Sequence, residues 1–446
     1  MNYEAAVHYL LSLGRELAAP TQAAAAKFDL ENITILAERL GRPDRAYPSA
    51  HIAGTNGKGS TAAFLESILR CAGFQTGLNT SPHLEKINER IRVNGEEISD
   101  DAFAETFTRI QALNEELLAA GKLRAHPTYF ECVTAMAFEY FARERVDFGV
   151  FEVGLGGRLD ATNIVTPVVS IITRVDFDHE NFLGHSLAEI ATEKAGILKQ
   201  GVPLILAEQR AEVLEVIQMR ARELGCPTIE TATAFRIEKE WMDGRGRAIV
   251  SENASGWSME LAPRLPGRFQ IQNSLNAVAA ARYLQKRGYR VSDDAIALGI
   301  SQAVWPGRLE KLQSEPDVYL DGAHNPSAAR ELAAFLEQNL ADRKIWLIFG
   351  ALRDKAVDEI AGVLFPLAAE VIFTEARTSR AISVAQLAEI TSHHAGNFTV
   401  IQDPEPALEY ALDQAAPHDA IIVAGSLYLV GQLRHHWKSR AQVAAH

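Results

Sequence analysis

Cysteine is scarce: Cys71, Cys132 and Cys226 are the three in 446 residues, and no two stand in CxxC spacing. Neither a disulfide framework nor a cysteine-based zinc site is expected, and the usage fits a reducing cytoplasm. No uncharged apolar run reaches the length of about 18 residues that spans a bilayer, so no membrane partner is expected. The N-terminus carries Glu4 early and lacks a basic segment ahead of an apolar core, so it is not read as a signal peptide. Its apolar spacing (Ala5, Tyr9, Leu10, Leu13) suits an amphipathic helix instead. Positive charge is in deficit, with 44 Lys+Arg against 57 Asp+Glu and a net charge of −13. A sequence-wide footprint for nucleic acid is therefore missing. An anionic substrate would need local cations or a metal ion to hold it against that field. There is no internal repeat or low-complexity tract, and no long apolar seam for an obligate dimer, so a monomer is expected.

What is present is an ordinary globular composition, 47% hydrophobic and 23% charged. The length suits two or three domains at about 150 residues each. Short β-type runs alternate with longer helical runs. Strands are expected at 49–54, 76–80, 146–154, 167–175 and 201–208. Helices are expected at 60–74, 131–144, 186–199 and 211–224. Apolar strands of this kind are buried on both faces, as in a parallel sheet covered by helices. Residues 232–262 alternate and are rich in turn formers, which predicts hairpins. Helices at 274–287 and 293–303 follow. Pro306 and Gly307 mark a boundary, after which five strands (318–325, 344–350, 370–376, 398–403, 419–425) form a fresh β/α series. Two domains, 1–303 and 304–446, follow from this, each an open α/β sheet. The tail, 440–446, is expected to fray.

The strongest local signal is Gly54-Thr55-Asn56-Gly57-Lys58-Gly59-Ser60-Thr61, between a predicted strand and a predicted helix. The glycines let backbone approach a ligand. The helix start points N–H groups at an anion, Lys58 adds positive charge, and Ser60 or Thr61 offers a hydroxyl. The loop departs from G-x-x-x-x-G-K-[ST]: Ile52 stands at the first glycine position and Gly59 follows the lysine. A second element is Thr80-Ser81-Pro82-His83-Leu84. Arg90 and Arg92 beyond it suit either an anion site or a solvated strand face. Glu152 falls at the carboxyl end of a strand, where open α/β sheets place ligands, and a carboxylate there suits Mg²⁺. The glycines at 154, 156 and 157 do not fit G-x-G-x-x-G, because Leu159 occupies the third position. Asp176-Phe177-Asp178-His179-Glu180 ends the next strand, and His179 is a possible metal ligand. Lys194 near a helix C-terminus has a plain reading as a cation favoured by the dipole. Thr128-Tyr129-Phe130-Glu131 is a capping box, and its aromatic pair would also line a flat-ring pocket.

In order along the chain, GTNGKGS (54–60), TSPHL (80–84), TYFE (128–131), EVGLGGRLDATN (152–163), DH (178–179), EKAGI (193–197), NA (276–277), WPGRLE (305–310) and LDGAHNP (320–326) resemble the folylpolyglutamate synthase and dihydrofolate synthase family of the Mur ligase superfamily. The resemblance implies a Mur-ligase-like α/β fold: an N-terminal P-loop domain with a mostly parallel sheet and a smaller Rossmann-like C-terminal domain. It implies ATP-dependent amide formation with L-glutamate, on dihydropteroate, on reduced folates, or on both. Thr55, Asn56, Gly57, Lys58, Gly59 and Ser60 would then hold ATP phosphates, with Asn276, Arg308 and Asp321 as further nucleotide contacts. Ser81, Glu152 and His179 match Mg²⁺ ligands. Lys194 matches a carbamylated lysine that binds a second Mg²⁺. Thr128, Tyr129, Phe130, Leu159, Asp160 and Ala161 match pterin contacts. His324 matches a residue tied to glutamate binding or catalysis. Two other readings stand beside this one: a Mur-type ligase acting on a UDP-sugar peptide, and a nucleotide-binding module without catalysis. The G-K-G-S loop and the TYFE and LDATN segments favour the folate branch, and the intact lysine and metal-ligand set favour an enzyme.

Overall fold

The computed structural model describes residues 1–13, 29–242 and 244–444, with side chains through Arg440. The first domain is built on eight strands: β1 (Ser49–Ala53), β2 (Thr76–Asn79), β3 (Ile91–Val93), β4 (Glu96–Glu97), β5 (Phe148–Glu152), β6 (Val169–Ile172), β7 (Leu204–Leu206) and β8 (Thr228–Glu230). They form one sheet in the order β4-β3-β2-β5-β1-β6-β7-β8. Pairing is parallel from β2 to β8 and antiparallel at β3 and β4. All five residues of β1 and of β5 are buried, which is why these runs read as continuous rather than alternating.

Helices cover both faces. Helices Lys58–Cys71, Phe269–Lys286 and Asp293–Gln302 enclose one apolar core against the sheet, around Phe64, Ile68 and Leu275. Helices Tyr3–Ser12, Glu31–Arg39, Asp100–Ala119 and Tyr129–Arg143 enclose a second, centred on Phe107, Phe138 and Phe151. A smaller three-stranded antiparallel sheet follows: β9 (Phe235–Trp241), β10 (Arg247–Glu252) and β11 (Ser258–Leu261).

The second domain has six strands: β12 (Glu310–Gln313), β13 (Asp317–Leu320), β14 (Ile345–Phe349), β15 (Glu370–Phe373), β16 (Phe398–Val400) and β17 (Ala420–Ala424), in the order β12-β13-β17-β14-β15-β16. Only β12 runs antiparallel to its neighbour. The molecule is therefore a two-domain α/β protein whose parallel strands end, in both domains, facing one cleft.

Several expectations change. The second domain has six strands rather than five, because β12 (EKLQ) is polar and lies at an edge. β3, β4 and β8 were not foreseen; they span two or three residues each, too short for alternation to show. The helix expected at 274–287 starts at Phe269, its first turn (FQIQ) being polar in pattern yet burying Gln270 and Ile271. The last helix, Leu427–Ala444, continues through much of the tail expected to fray. The N-terminal helix covers Tyr3–Ser12, and the rest of that predicted segment lies outside the described residues.

Candidate active site

β1 delivers the chain into the glycine loop. Gly54 has φ +146°, and a Cβ there would lie 1.8 Å from Thr173 Oγ1. Gly57 has φ +86°, and a Cβ would lie 2.2 Å from Asn273 Oδ1. These two positions need glycine both for their backbone angles and for the close approach of neighbours. The N–H groups of Thr55 and Asn56 donate to Arg174 O at 2.9 and 3.3 Å, which ties the loop to the end of β6. Thr55 Oγ1 donates to Asp176 O at 2.8 Å. Helix Lys58–Cys71 opens directly from the loop, so its first N–H groups face the cleft. Ser60 Oγ is buried and accepts from Gln270 Nε2 at 3.3 Å.

Two lysines converge on this loop. Lys58 Nζ donates to Gly54 O and Thr55 O, each at 3.0 Å. Burial pushes its pKa down, opposed by Glu152 and Asp178. Lys194 Nζ donates to the same Gly54 O at 2.9 Å. Its side chain is buried, and burial together with the Lys58 charge lowers its pKa to about 7. It is therefore not the solvated helix-end cation that its position in sequence allowed. Gly196 and Gly157 make this possible: a Cβ on Gly196 would lie 2.3 Å from Arg158 Cβ, and one on Gly157 would lie 2.9 Å from Glu193 O. The glycine-rich loop after β5 thus packs directly on the end of the helix that carries Lys194.

Glu152, the last residue of β5, pairs in register with Ile52 of β1. Its Oε2 accepts from Ser81 N at 3.0 Å, and burial raises its pKa against the pull of Lys58. His179 has φ 52° and opens the short helix Glu180–Leu183. Its Nδ1 is buried without a hydrogen-bond partner, and burial lowers its pKa to about 4, so it stays neutral at pH 7. Arg90 is buried, bonds His83 Nδ1 at 2.8 Å and lies 5.4 Å over the Tyr129 ring. Arg92 is partly buried and pairs with Glu97 at 3.2 Å. Of the two readings left open, neither arginine is simply on a solvated face.

All six pterin candidates border the cleft, but their side chains are engaged differently. Thr128 and Glu131 form the capping box, with Thr128 N and Oγ1 both donating to Glu131 Oε2 at 2.8 Å. Tyr129 is buried in the core. Phe130 lines the cleft, its ring so close to Gly154 that a Cβ there would lie 2.6 Å from Phe130 Cζ. Leu159 and Ala161 line the same stretch. Asp160 turns its oxygens inward: Oδ2 accepts from Gly154 N and Leu155 N at 2.9 Å, and Oδ1 accepts from Thr162 N at 3.0 Å. Its visible work is to shape the loop. Thr162 in turn bonds His51 Nε2 at 2.8 Å, so a buried chain runs from Asp160 back to β1.

The second domain closes the other side of a cleft of about 1660 Å³ lined by both domains. Asn276 and Arg308 line it. Asn276 is buried and accepts from Thr231 Oγ1 at 3.4 Å. Asp321 also borders it, but both its oxygens accept from backbone, Leu309 N at 2.9 Å and Ala323 N at 2.8 Å. It braces the turn that presents Arg308. His324 Nδ1 lies 2.7 Å from Gly322 O, a contact that needs its N–H there.

Sequence reasoning missed Lys355 and the pairing by which Asp178 joins the two halves. Asp178 Oδ1 accepts from Lys355 Nζ at 2.6 Å; Oδ2 accepts from Asn325 Nδ2 at 3.2 Å and lies 3.6 Å from His324 Nε2. Its pKa is held well below the carboxylate range: His179, Lys355 and His324 outweigh burial. Asn325 and Asn56 exchange amide hydrogen bonds of 3.0 and 3.3 Å across the domains. Lys355, Arg353 and Arg380 line the cleft beyond, with Asp354 accepting from Arg380 at 3.0 Å through both oxygens. Lys355 belongs to no motif, but it follows β14, and the rule that ligands gather beyond strand carboxyl ends would have flagged that loop.

Segment 52–281 matches the family model of the Mur ligase middle domain, and 307–427 matches that of the Mur ligase glutamate ligase domain. A Bacillus subtilis protein named dihydrofolate synthase/folylpolyglutamate synthase is 36% identical over 408 residues, covering 90% of this chain and 93% of the relative. The structure of Mycobacterium tuberculosis folylpolyglutamate synthase complexed with ADP superposes with a TM-score of 0.88 at 30% identity, covering 98% of both chains. That of Escherichia coli FolC in complex with DHPP and ADP superposes with a TM-score of 0.84 at 30% identity, covering 99% of both.

Proposed function

The chain belongs to the dihydrofolate synthase/folylpolyglutamate synthase family of Mur ligases, and on that premise we propose how its cleft works. It is an ATP-dependent ligase that joins L-glutamate to a folate-type acid. Our reading is bifunctional: the acid is either dihydropteroate or the glutamate tail of a reduced folate. One observation supports the ligase reading most. A phosphate-type loop with the partly buried Lys58 and the buried Lys194 faces, across the cleft, Lys355, Arg353 and Arg380 of the other domain.

A carboxylate is a poor electrophile, so the γ-phosphoryl group of ATP first converts it to an acyl phosphate. Such a transfer depends on positioning and on charge neutralisation. The helix start at Lys58, the Lys58 ammonium and Arg308 supply cations there, in a chain whose net charge of −13 opposes anions overall. Phe130, Leu159 and Ala161 offer an apolar surface for a flat ring. Lys355, Arg353 and Arg380 suit the carboxylates of the incoming glutamate. His324, with its Nε2 near Asp178, is placed to take the proton that the glutamate amine loses as nitrogen attacks and phosphate leaves. Closure of both domains keeps water from the acyl phosphate.

The residues fit Mg²⁺. Ser81 and Glu152 offer oxygen, and the orphaned buried Nδ1 of His179 is a ready ligand atom. Lys194 fits only as a carbamate, and a pKa lowered to about 7 makes its neutral amine available to carbon dioxide. Bound there, Mg²⁺ would neutralise charge on the transferring phosphoryl oxygens. We also propose a cytoplasmic monomer: the cysteines are free thiols, and one chain's own domains build the whole cleft.

The test is ADP release by the purified chain with ATP and Mg²⁺, with and without L-glutamate, using dihydropteroate and tetrahydrofolate in turn. Release that needs glutamate and either acid is expected. Release indifferent to glutamate would overturn the reading.

A further inference from the structure

We infer that Arg434, on the last helix and outside the cleft, is a positioning residue that sets the Ser81 loop and the Arg308 turn together; the inference rests on the ligase reading above. The Arg434 Nε donates to Glu310 Oε1 and Oε2, both at 2.9 Å. Another guanidinium nitrogen bonds Glu85. The three side chains are mostly buried, at 16%, 23% and 11% exposure for Arg434, Glu310 and Glu85. Lys438 adds a second cation on Glu85 at 2.7 Å.

Each carboxylate leads to a different part of the phosphate site. Glu310 Oε2 accepts from Gly307 N at 2.9 Å, fixing the turn (φ +71°) from which Arg308 reaches the cleft. Glu85 lies four residues beyond Ser81, in a loop braced by Glu89, whose oxygens accept from Leu84 N and Glu85 N at 2.8 Å. That loop puts Ser81 N on Glu152. Leu84 is wedged between the two glycines of the second domain that face it. A Cβ on Gly431 would lie 2.0 Å from Leu84 O, and one on Gly307 would lie 3.0 Å from Leu84 Cδ1. Backbone thus touches backbone where the loop of one domain meets the last helix of the other. Without the guanidinium, two carboxylates would face each other in a half-dry pocket, and both turns would relax away from the phosphates.

The experiment compares Arg434→Met, Arg434→Lys and Glu85→Gln with the wild type in glutamate-dependent ADP release, with thermal melts of each. Arg434→Met is expected to lower kcat/KM for ATP at least tenfold and to raise the Mg²⁺ requirement. The KM for L-glutamate should stay within twofold, because Lys355 and its neighbours are untouched. Arg434→Lys, which keeps the charge and loses the fork, should fall between. An Arg434→Met protein that melts like the wild type and keeps its ATP and Mg²⁺ parameters within twofold overturns the inference. So does an equal loss for all three substrates tracking a lowered melting temperature, the mark of a purely structural residue. If Arg434→Met does not fold, Glu85→Gln decides by the same criteria. A wild-type chain with no glutamate-dependent release overturns the ligase reading itself, whereas an active wild type with unaltered variants overturns this inference alone.

Discussion

Replacing Asp178 with asparagine removes one negative charge from the point where the domains meet. Three of the groups that face this carboxylate, Lys355, Asn325 and His324, belong to the second domain, while Asp178 follows β6 of the first. The Lys355 side chain is 4% exposed and that of Asp178 is 9% exposed. Removing one partner of such a buried pair costs about 3–5 kcal/mol, because the other charge is left without compensation. At tenfold per about 1.4 kcal/mol, that is roughly a 10²- to 4 × 10³-fold loss of the closed arrangement. The loss falls on closure and not on either core, since Asp178 packs in neither apolar cluster. Asp178→Asn should therefore lower kcat/KM for glutamate-dependent ADP release by about that factor. Its denaturation midpoint should move far less. Adding Lys355→Met removes the stranded ammonium, so the double variant should show a strong non-additive coupling in domain closure, read by small-angle scattering with ADP bound. A single variant within threefold of wild-type kcat/KM would refute the reasoning.

Three further outcomes are expected. Lys58→Ala should lower kcat by about 10²-fold or more, as loss of a preorganised cation does; wild-type turnover would remove Lys58 from the phosphate site. Lys194→Ala should be inactive and regain part of its activity when small carboxylic acids are supplied. Unchanged Mg²⁺ dependence in that variant would show that Lys194 serves only the Gly54 contact. His51 carries a pH signature: burial, with Lys199 beside it, lowers its pKa from 6.5 to about 3. Between those values the unfolded chain holds a proton that the folded chain does not, so stability should fall as pH drops from 6.5 toward 3. In His51→Gln that part of the slope should vanish from urea midpoints measured across the window, and an unaltered slope would mean the ring is not buried neutral.

Much of the fold was legible because its signals are local. A five-residue strand buried on both faces, such as β1 or β5, reads as an unbroken apolar run. The capping box at Thr128 and Glu131 is written in four residues. The glycine loop announces itself because glycine and lysine are otherwise hard to justify at a helix start. What escaped is set by partners remote in sequence. β12 is a strand because β13 lies beside it, not because EKLQ favours one. Asp160 and Asp321 stood out as acids in motifs, but only the fold shows that backbone N–H groups absorb their oxygens.

Charge separates the two kinds of information further. A net charge of −13 suggests a protein that repels ATP and glutamate. The cleft nevertheless gathers Lys58, Lys194, Arg308 and Lys355, with Glu152 and Asp178 as the nearby acids that oppose burial of the Lys58 charge. Neither domain alone can hold this set comfortably. Lys58 and Lys194 stand on one side with their pKa values depressed, and Lys355 on the other needs Asp178 from across the gap. An anionic ligand bound between Lys58, Lys194 and Lys355 would offset charge contributed by both domains at once. Substrate binding and domain closure are then the same electrostatic event, which makes the position of Lys355, silent in the sequence, as consequential as that of the glycine loop.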